Sequence, residues 1–315
     1  MGAIDSFFQD SQSVFDRADL PVDISTGRPY VRCGNRRSLP VDLGVTPGSF
    51  SVELSHSEYH SFSDVLSHSG AIELERSAAH YLAYLTQIRA PRTEPNIGTA
   101  IHDAWLLPAV YRDRYVTWGG GRRQGRRWEE FREQHAGKTV LSEAERLQVE
   151  GMLDALNSFK ELPLADVRAL GETEKSIFWV DQETGVPCRI RVDLLTPAMA
   201  FDLKSYDDVR PSAFYPQAIR KGYDVQAAMY QEGIAAYLGR KLPFCFVAVE
   251  DARPHGVWLY PASEDFIERG RRQFRRALQN YARIRETGEY SGYEGAITPI
   301  ELSRWDARKL EEGCA

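Results

Sequence analysis

The segment CRIRVDLLTPAMAFDLKSYDD, residues 188–208, sets the tightest limit on what this chain can become. Its two apolar runs, Ile190 to Leu195 and Met199 to Leu203, are separated by a short Pro-containing turn, which predicts consecutive strands of one sheet. Each run is interrupted by an acid, Asp193 in the first and Asp202 in the second, and Lys204 follows two places later. A carboxylate inside an apolar strand is costly unless it is paired or holds a cation. Any fold of this chain therefore has to bring both acids to something that neutralises them.

Adjacent strands lie about 4.8 Å apart. Asp193 and Asp202, near the ends of their strands, can then share one or two divalent cations. Lys204 stands two residues beyond Asp202 and so points to the same face. A lysine there can orient an attacking water or stabilise charge growing on a phosphate, which phosphodiester hydrolysis requires. Taken alone, D-x-K is also a common solvent-facing pair.

Other residues bear on the choice. The stretch NIGTAIHDAWLLP (96–108) reads as a buried helix stopped before Pro108, with His102 four residues after Gly98. A lone histidine on an apolar helix is usually a satisfied core residue. In YDVQAAMY, Tyr223, Gln226 and Tyr230 fall at i, i+3 and i+7 and share one helix face. That face either edges the core or turns toward a cation and a scissile phosphate. Glu174 opens the run EKSIFWV, as a third carboxylate or as a solvated acid at a strand start.

Around these residues the order of elements predicts an α/β (α+β) fold with a central mixed sheet flanked by helices. Strands are expected at 174–180, 186–195, 199–205, 241–251 and 256–262. Helices are expected within 61–85, at 96–108, at 142–159 with Ser142 and Glu145 forming a capping box, at 223–239 and at 264–287. Residues 1–50, rich in Gly, Pro, Ser and Asp, form an N-terminal extension of unassigned role, and 51–315 form the main domain. The four cysteines (Cys33, Cys188, Cys245, Cys314) contain no C-x-x-C pair, so an iron–sulfur cluster is not expected and the thiols suit a cytoplasmic setting. No apolar run approaches the ~20 residues that span a bilayer, and no membrane role is expected.

The net charge of −6 argues against indiscriminate coating of nucleic acid but leaves room for a local basic groove. Arg122, Arg123, Arg126 and Arg127 gather in the glycine-rich stretch GGGRRQGRRW (119–128), where Trp128 can stack on a base. A flexible solvated loop is the competing reading. Arg269, Arg271, Arg272, Arg275 and Arg276 lie on the helix expected at 264–287, where they either face DNA or pair with neighbouring acids.

The ordered set G-x-x-x-H, D, D-x-K and Y-x-x-Q-x-x-x-Y resembles the RecB-like branch of the PD-(D/E)XK nucleases. It is closer still to the nuclease domain of RecE-type phage exonucleases (exodeoxyribonuclease VIII-like). The likeness includes SHSGAIELERSAAHYLAYL (67–85), the glycine-arginine stretch followed by W-x-x-F, and SIFWVDQETGVPCRIRVDLL (176–195), and runs over roughly residues 57–305. Val192 stands where the family name has proline, a position that does no chemistry. The resemblance implies His102, Asp193, Asp202 and the Leu203 carbonyl as metal ligands, and Lys204 beside the attacking water. It further implies Glu174 as an accessory acid, and Gln226 and Tyr230 as positioning residues. Tyr223 is expected, with the loop arginines and Trp128, on the DNA side. The implied activity is a Mg²⁺-dependent exonuclease, with Mn²⁺ able to substitute, digesting linear double-stranded DNA 5′ to 3′ for recombination. Its implied partners are DNA ends, further copies in a ring-like trimer or tetramer, and a single-strand annealing protein. The alternatives are a structure-specific or single-strand nuclease of repair or defence, and a non-catalytic DNA-binding module.

Overall fold

The computed structural model describes residues 96–293 without a break, 64–87, and parts of 32–37, 49–62 and 297–311. In chain order the first strands are β1 (Arg32–Cys33), β2 (Arg36–Arg37) and β3 (Phe50–Val52). Helices α1 (His56–His60), α2 (His68–Arg76), α3 (Ala78–Thr86), α4 (Ile97–Leu106) and α5 (Pro108–Arg114) follow. Next come β4 (Tyr115–Trp118), α6 (Arg126–Gln134), β5 (Thr139–Ser142), α7 (Glu143–Asn157) and α8 (Leu164–Ala169). The strands β6 (Glu172–Val180), β7 (Pro187–Leu195) and β8 (Ala200–Tyr206) form a meander. The chain then runs through α9 (Pro211–Arg220), α10 (Tyr223–Leu238), β9 (Phe244–Glu250), β10 (Val257–Pro261), α11 (Glu264–Thr287) and α12 (Arg304–Glu311).

The main sheet has six strands in the order β10-β9-β8-β7-β6-β3. It is mixed because β8 and β9 run parallel while the other neighbours are antiparallel. A parallel pair needs a crossover, and α9 with α10 supply it. Helices cover both faces. On one, Val192, Phe244 and Phe246 pack with Met229, Phe274 and Leu278. On the other, Leu194, Phe201 and Val247 pack with Ile101, Trp105 and Met152. The fold is thus the expected α/β architecture with a central mixed sheet between helices.

Local chemistry explains several boundaries. Ser142 and Glu145 make both hydrogen bonds of a capping box at the start of α7. Pro108 ends α4 and also begins α5, because a proline at the first helical position lacks only a donor the helix does not use. Gly270 lets α11 cross α10 closely: a Cβ there would lie 1.9 Å from the Asp224 carbonyl oxygen. The expected boundary between 50 and 51 falls at β3, which pairs with β6. Most of the expected extension lies outside the described residues.

The sheet is least regular at its centre. Pairing of β7 with β8 consists of Leu194–Phe201 and Leu195–Ala200 and then stops. Continued one step, that register sets Asp193 opposite Asp202. The β6–β7 ladder pairs Thr173 with Leu194 and Lys175 with Val192, skipping Glu174 and Asp193 between them. Val192 and Leu195 face one core and Leu194 the other, so the alternation of β7 breaks at Asp193. Three acids, Glu174, Asp193 and Asp202, form one row across three strands at this interruption.

Candidate active site

Each member of the row is held by a different partner. The Asp193 carboxylate replaces the missing ladder, accepting from the Leu203 amide at 2.8 Å. It also meets His102 Nε2 at 3.0 Å, while His102 Nδ1 lies 3.4 Å from Glu174. Glu174 is in close ion contact with Arg191. Asp202, 2% exposed, accepts from Gln226 and has Lys204 Nζ at 2.5 Å. Lys204 also lies 4.6 Å from the ring centre of Tyr223, whose hydroxyl shares a 2.5 Å hydrogen bond with Tyr206.

His102 reaches the row because α4 settles onto the end of β8. A Cβ on Gly98 would come within 3.0 Å of Ser205 Oγ, so glycine permits this approach one turn before the histidine. Glu174 has φ 55°, in the left-handed region that a non-glycine residue adopts at a cost of about 1–3 kcal/mol. That strain sits where the chain turns a carboxylate toward its neighbours.

The electrostatics follow from burial and like charge. Burial and the Asp193 carboxylate push Asp202 up to about 6, against the pull of Lys204. Burial also resists ionisation of Asp193, but His102, Lys204 and the Leu203 amide hold it below the usual carboxylate range. Burial raises Glu174, aided by Asp193. Burial would lower His102, yet Asp193, Glu174 and Asp202 together push it up to about 9. The row therefore strongly favours positive charge beside it.

A divalent cation fits this donor set. Ligand atoms of His102, Glu174 and Asp193 lie within 4.8 Å of one another, the kind of oxygen-rich group with one imidazole that suits Mg²⁺ or Mn²⁺. Lys204 approaches Asp202 Oδ2 without an aligned hydrogen bond, leaving that buried oxygen short of a partner. Glu174, read from sequence as accessory, stands with His102 and Asp193 in this compact group. Asp202 is one strand away, engaged by Gln226 and Lys204. Leu203 contributes its amide to Asp193 and lines the same opening.

That opening is a cavity of about 1330 Å³, larger than the ~300–1,000 Å³ typical of small-molecule sites. His102, Glu174, Asp193, Lys204, Tyr223 and Tyr230 all line it. Sequence reasoning passed over Arg114, Arg191, Lys221 and His68, which line it too. His68 is pulled down to about 4 by burial and donates to the Gly222 carbonyl at 3.0 Å. Arg191 shares β7 with Asp193, whereas His68, Arg114 and Lys221 come from other parts of the chain and reach the acids only through the tertiary fold.

The arginine stretch is placed elsewhere. Arg122, Arg123, Arg126, Arg127 and Trp128 do not line the cavity. Nor do they form a single loop: Arg126 starts α6, whose N-cap is Gly125 at φ 79°, so only 119–125 is a turn. Arg123 bonds Val140 O and Glu145, and Arg126 pairs with Glu130. Trp128 packs against Trp118 and Phe131. On α11, every arginine from 269 to 276 meets an acid: Arg269 with Asp224, Arg271 and Arg272 with Glu268, Arg275 with Asp181 and Glu232, Arg276 with Glu75. Cys188 and Cys245 are separate buried thiols. No helix among the described residues is long and apolar enough to cross a membrane.

A family described as "PDDEXK-like domain of unknown function (DUF3799)" matches residues 55–301. Among solved structures, a "Putative exonuclease" from Eubacterium rectale superposes with a TM-score of 0.55 at 14% identity, over 81% of this chain and 98% of that one. No curated protein matches the chain.

Proposed function

We propose, for a chain that belongs to the PDDEXK-like domain family DUF3799, that it is a Mg²⁺-dependent DNA exonuclease of the RecE type. It digests linear double-stranded DNA 5′ to 3′ and leaves single strands for recombination. The observation that carries this reading is the row of Glu174, Asp193 and Asp202, joined by His102 and Lys204 at one open cavity. His102, Glu174 and Asp193 would hold a divalent cation, with Asp202 beside them on the next strand. When bound, the cation polarises the phosphoryl group and eases ionisation of the attacking water. Lys204, confined between Asp202 and the Tyr223 ring, sets its ammonium where negative charge grows on the phosphate. Gln226 keeps Asp202 oriented, and Tyr230 lines the same cavity. Mn²⁺ replaces Mg²⁺ in this scheme, and the working form is a ring-like trimer or tetramer beside a single-strand annealing protein.

The test compares linear duplex, closed circular duplex and single strands, each with Mg²⁺ or EDTA. The expected result is Mg²⁺-dependent loss of linear duplex with circles left intact. Asp193→Asn and Asp202→Asn should each abolish it while the protein stays folded. Cleavage that persists in EDTA or in either variant overturns the assignment, and cutting of closed circles makes the protein an endonuclease.

A further inference from the structure

We infer that Arg191 is a positioning residue that fixes Glu174 for cation binding, an inference that rests on the metal-dependent reading above. Arg191 lies on β7 two residues before Asp193, and it lines the cavity. Its Nε is in close ion contact with one oxygen of Glu174, whose other oxygen faces His102 Nδ1 at 3.4 Å. From behind, the guanidinium is anchored twice. Nη2 donates to the Leu54 carbonyl at 3.0 Å, and the group lies 5.5 Å over the Tyr59 ring. A chain of contacts thus runs from Leu54 and Tyr59 through Arg191 and Glu174 to the imidazole.

The surroundings do not suit an ion pair kept for stability. Glu174 sits in the left-handed region, at a cost of about 1–3 kcal/mol. In the sheet register it also faces the like-charged Asp193. Arg191 Nη1 is buried with no acceptor among the described residues, and the close contact of Nε with Glu174 is not an aligned hydrogen bond, which forfeits part of what a buried guanidinium can gain. Buried ion pairs are in any case weak evidence for stability. What the arrangement does achieve is a fixed direction for one carboxylate beside His102 and Asp193. Partners that orient a ligand typically change metal affinity by about 10–100-fold. Arg189, on the same strand, also stacks on Tyr59 and donates to the Phe62 carbonyl, with no acid among the described residues in contact. It supplies an internal control.

The experiment measures Mn²⁺ binding by calorimetry in the absence of DNA. Arg191→Lys keeps the charge but loses the fork that spans Glu174 and Leu54, and Arg191→Met removes the charge. Both are expected to bind Mn²⁺ about 10–100-fold more weakly, with cleavage recovering at saturating Mn²⁺. Arg189→Lys should leave the affinity unchanged. In a Glu174→Gln background, Arg191→Lys should cause no further loss, because the arginine acts through that carboxylate. Unchanged Mn²⁺ affinity in folded Arg191→Lys overturns the inference, as does a loss that persists in full in the Glu174→Gln background. A wild-type protein that binds no Mn²⁺ instead removes the metal-dependent reading itself, so the two failures are distinct.

Discussion

Lys204 presents its ammonium between the Asp202 carboxylate and the face of Tyr223, which fix its position. Lys204→Ala is expected to lower turnover by about 10²-fold or more, with Mn²⁺ affinity little changed. Single-turnover kinetics at saturating DNA check this, and a loss confined to DNA affinity would make the lysine a backbone clamp. Asp193, Asp202 and Lys204 were legible in the sequence because they violate the pattern of the strands that carry them. Glu174 was only half legible. Its membership of the His102 group depends on a left-handed backbone and on register with Asp193, and neither leaves a mark in linear spacing. Arg191 left no signal at all, since an arginine alternating with apolar residues reads as the solvent side of a strand.

At the scale of elements, the stretch 119–134 shows how a glycine-rich run divides into a turn and a helix. Gly125 takes the positive φ, and α6 then carries Arg126, Arg127 and Trp128 on its first turn. Arg122 and Arg127 remain exposed, whereas Arg123 and Arg126 are paired within the chain. If this element grips DNA, the grip belongs to the exposed pair. Replacing Arg122 and Arg127 with alanine should flatten the salt dependence of DNA binding by roughly one unit of slope per lost phosphate contact. Cleavage of short fragments at saturating DNA should survive. An unchanged slope in a fluorescence titration places the DNA path elsewhere. Elsewhere, elements with strong local signals were read correctly, such as the capped α7 and α10 with its closing Gly239. Helix α9 was not among the expected helices; Pro211 starts it and Pro216 is tolerated inside it.

For the whole molecule, a net charge of −6 makes unguided DNA binding unfavourable, while the cavity wall gathers Arg114, Arg191, Lys204 and Lys221. In the proposed reading this wall is the mouth that a duplex end would meet. An assembly that encircles the duplex would keep its end at that mouth between cleavage steps. Light scattering at micromolar concentration is expected to give three or four times the 35.7 kDa mass of the chain. A monomer under those conditions removes the ring and with it the retention it provides. The break in pairing between β7 and β8 has a consequence of another kind. The Leu203 amide is secured by a side chain of the site, while its neighbours Phe201 and Ala200 belong to the backbone ladder. Its hydrogen–deuterium exchange therefore depends on the Asp193 carboxylate as well as on the β8–β9 ladder that pairs Leu203 with Val247. A change in the state of Asp193 should register there, making one backbone proton in the middle of the protein an intrinsic probe of whether the centre is loaded.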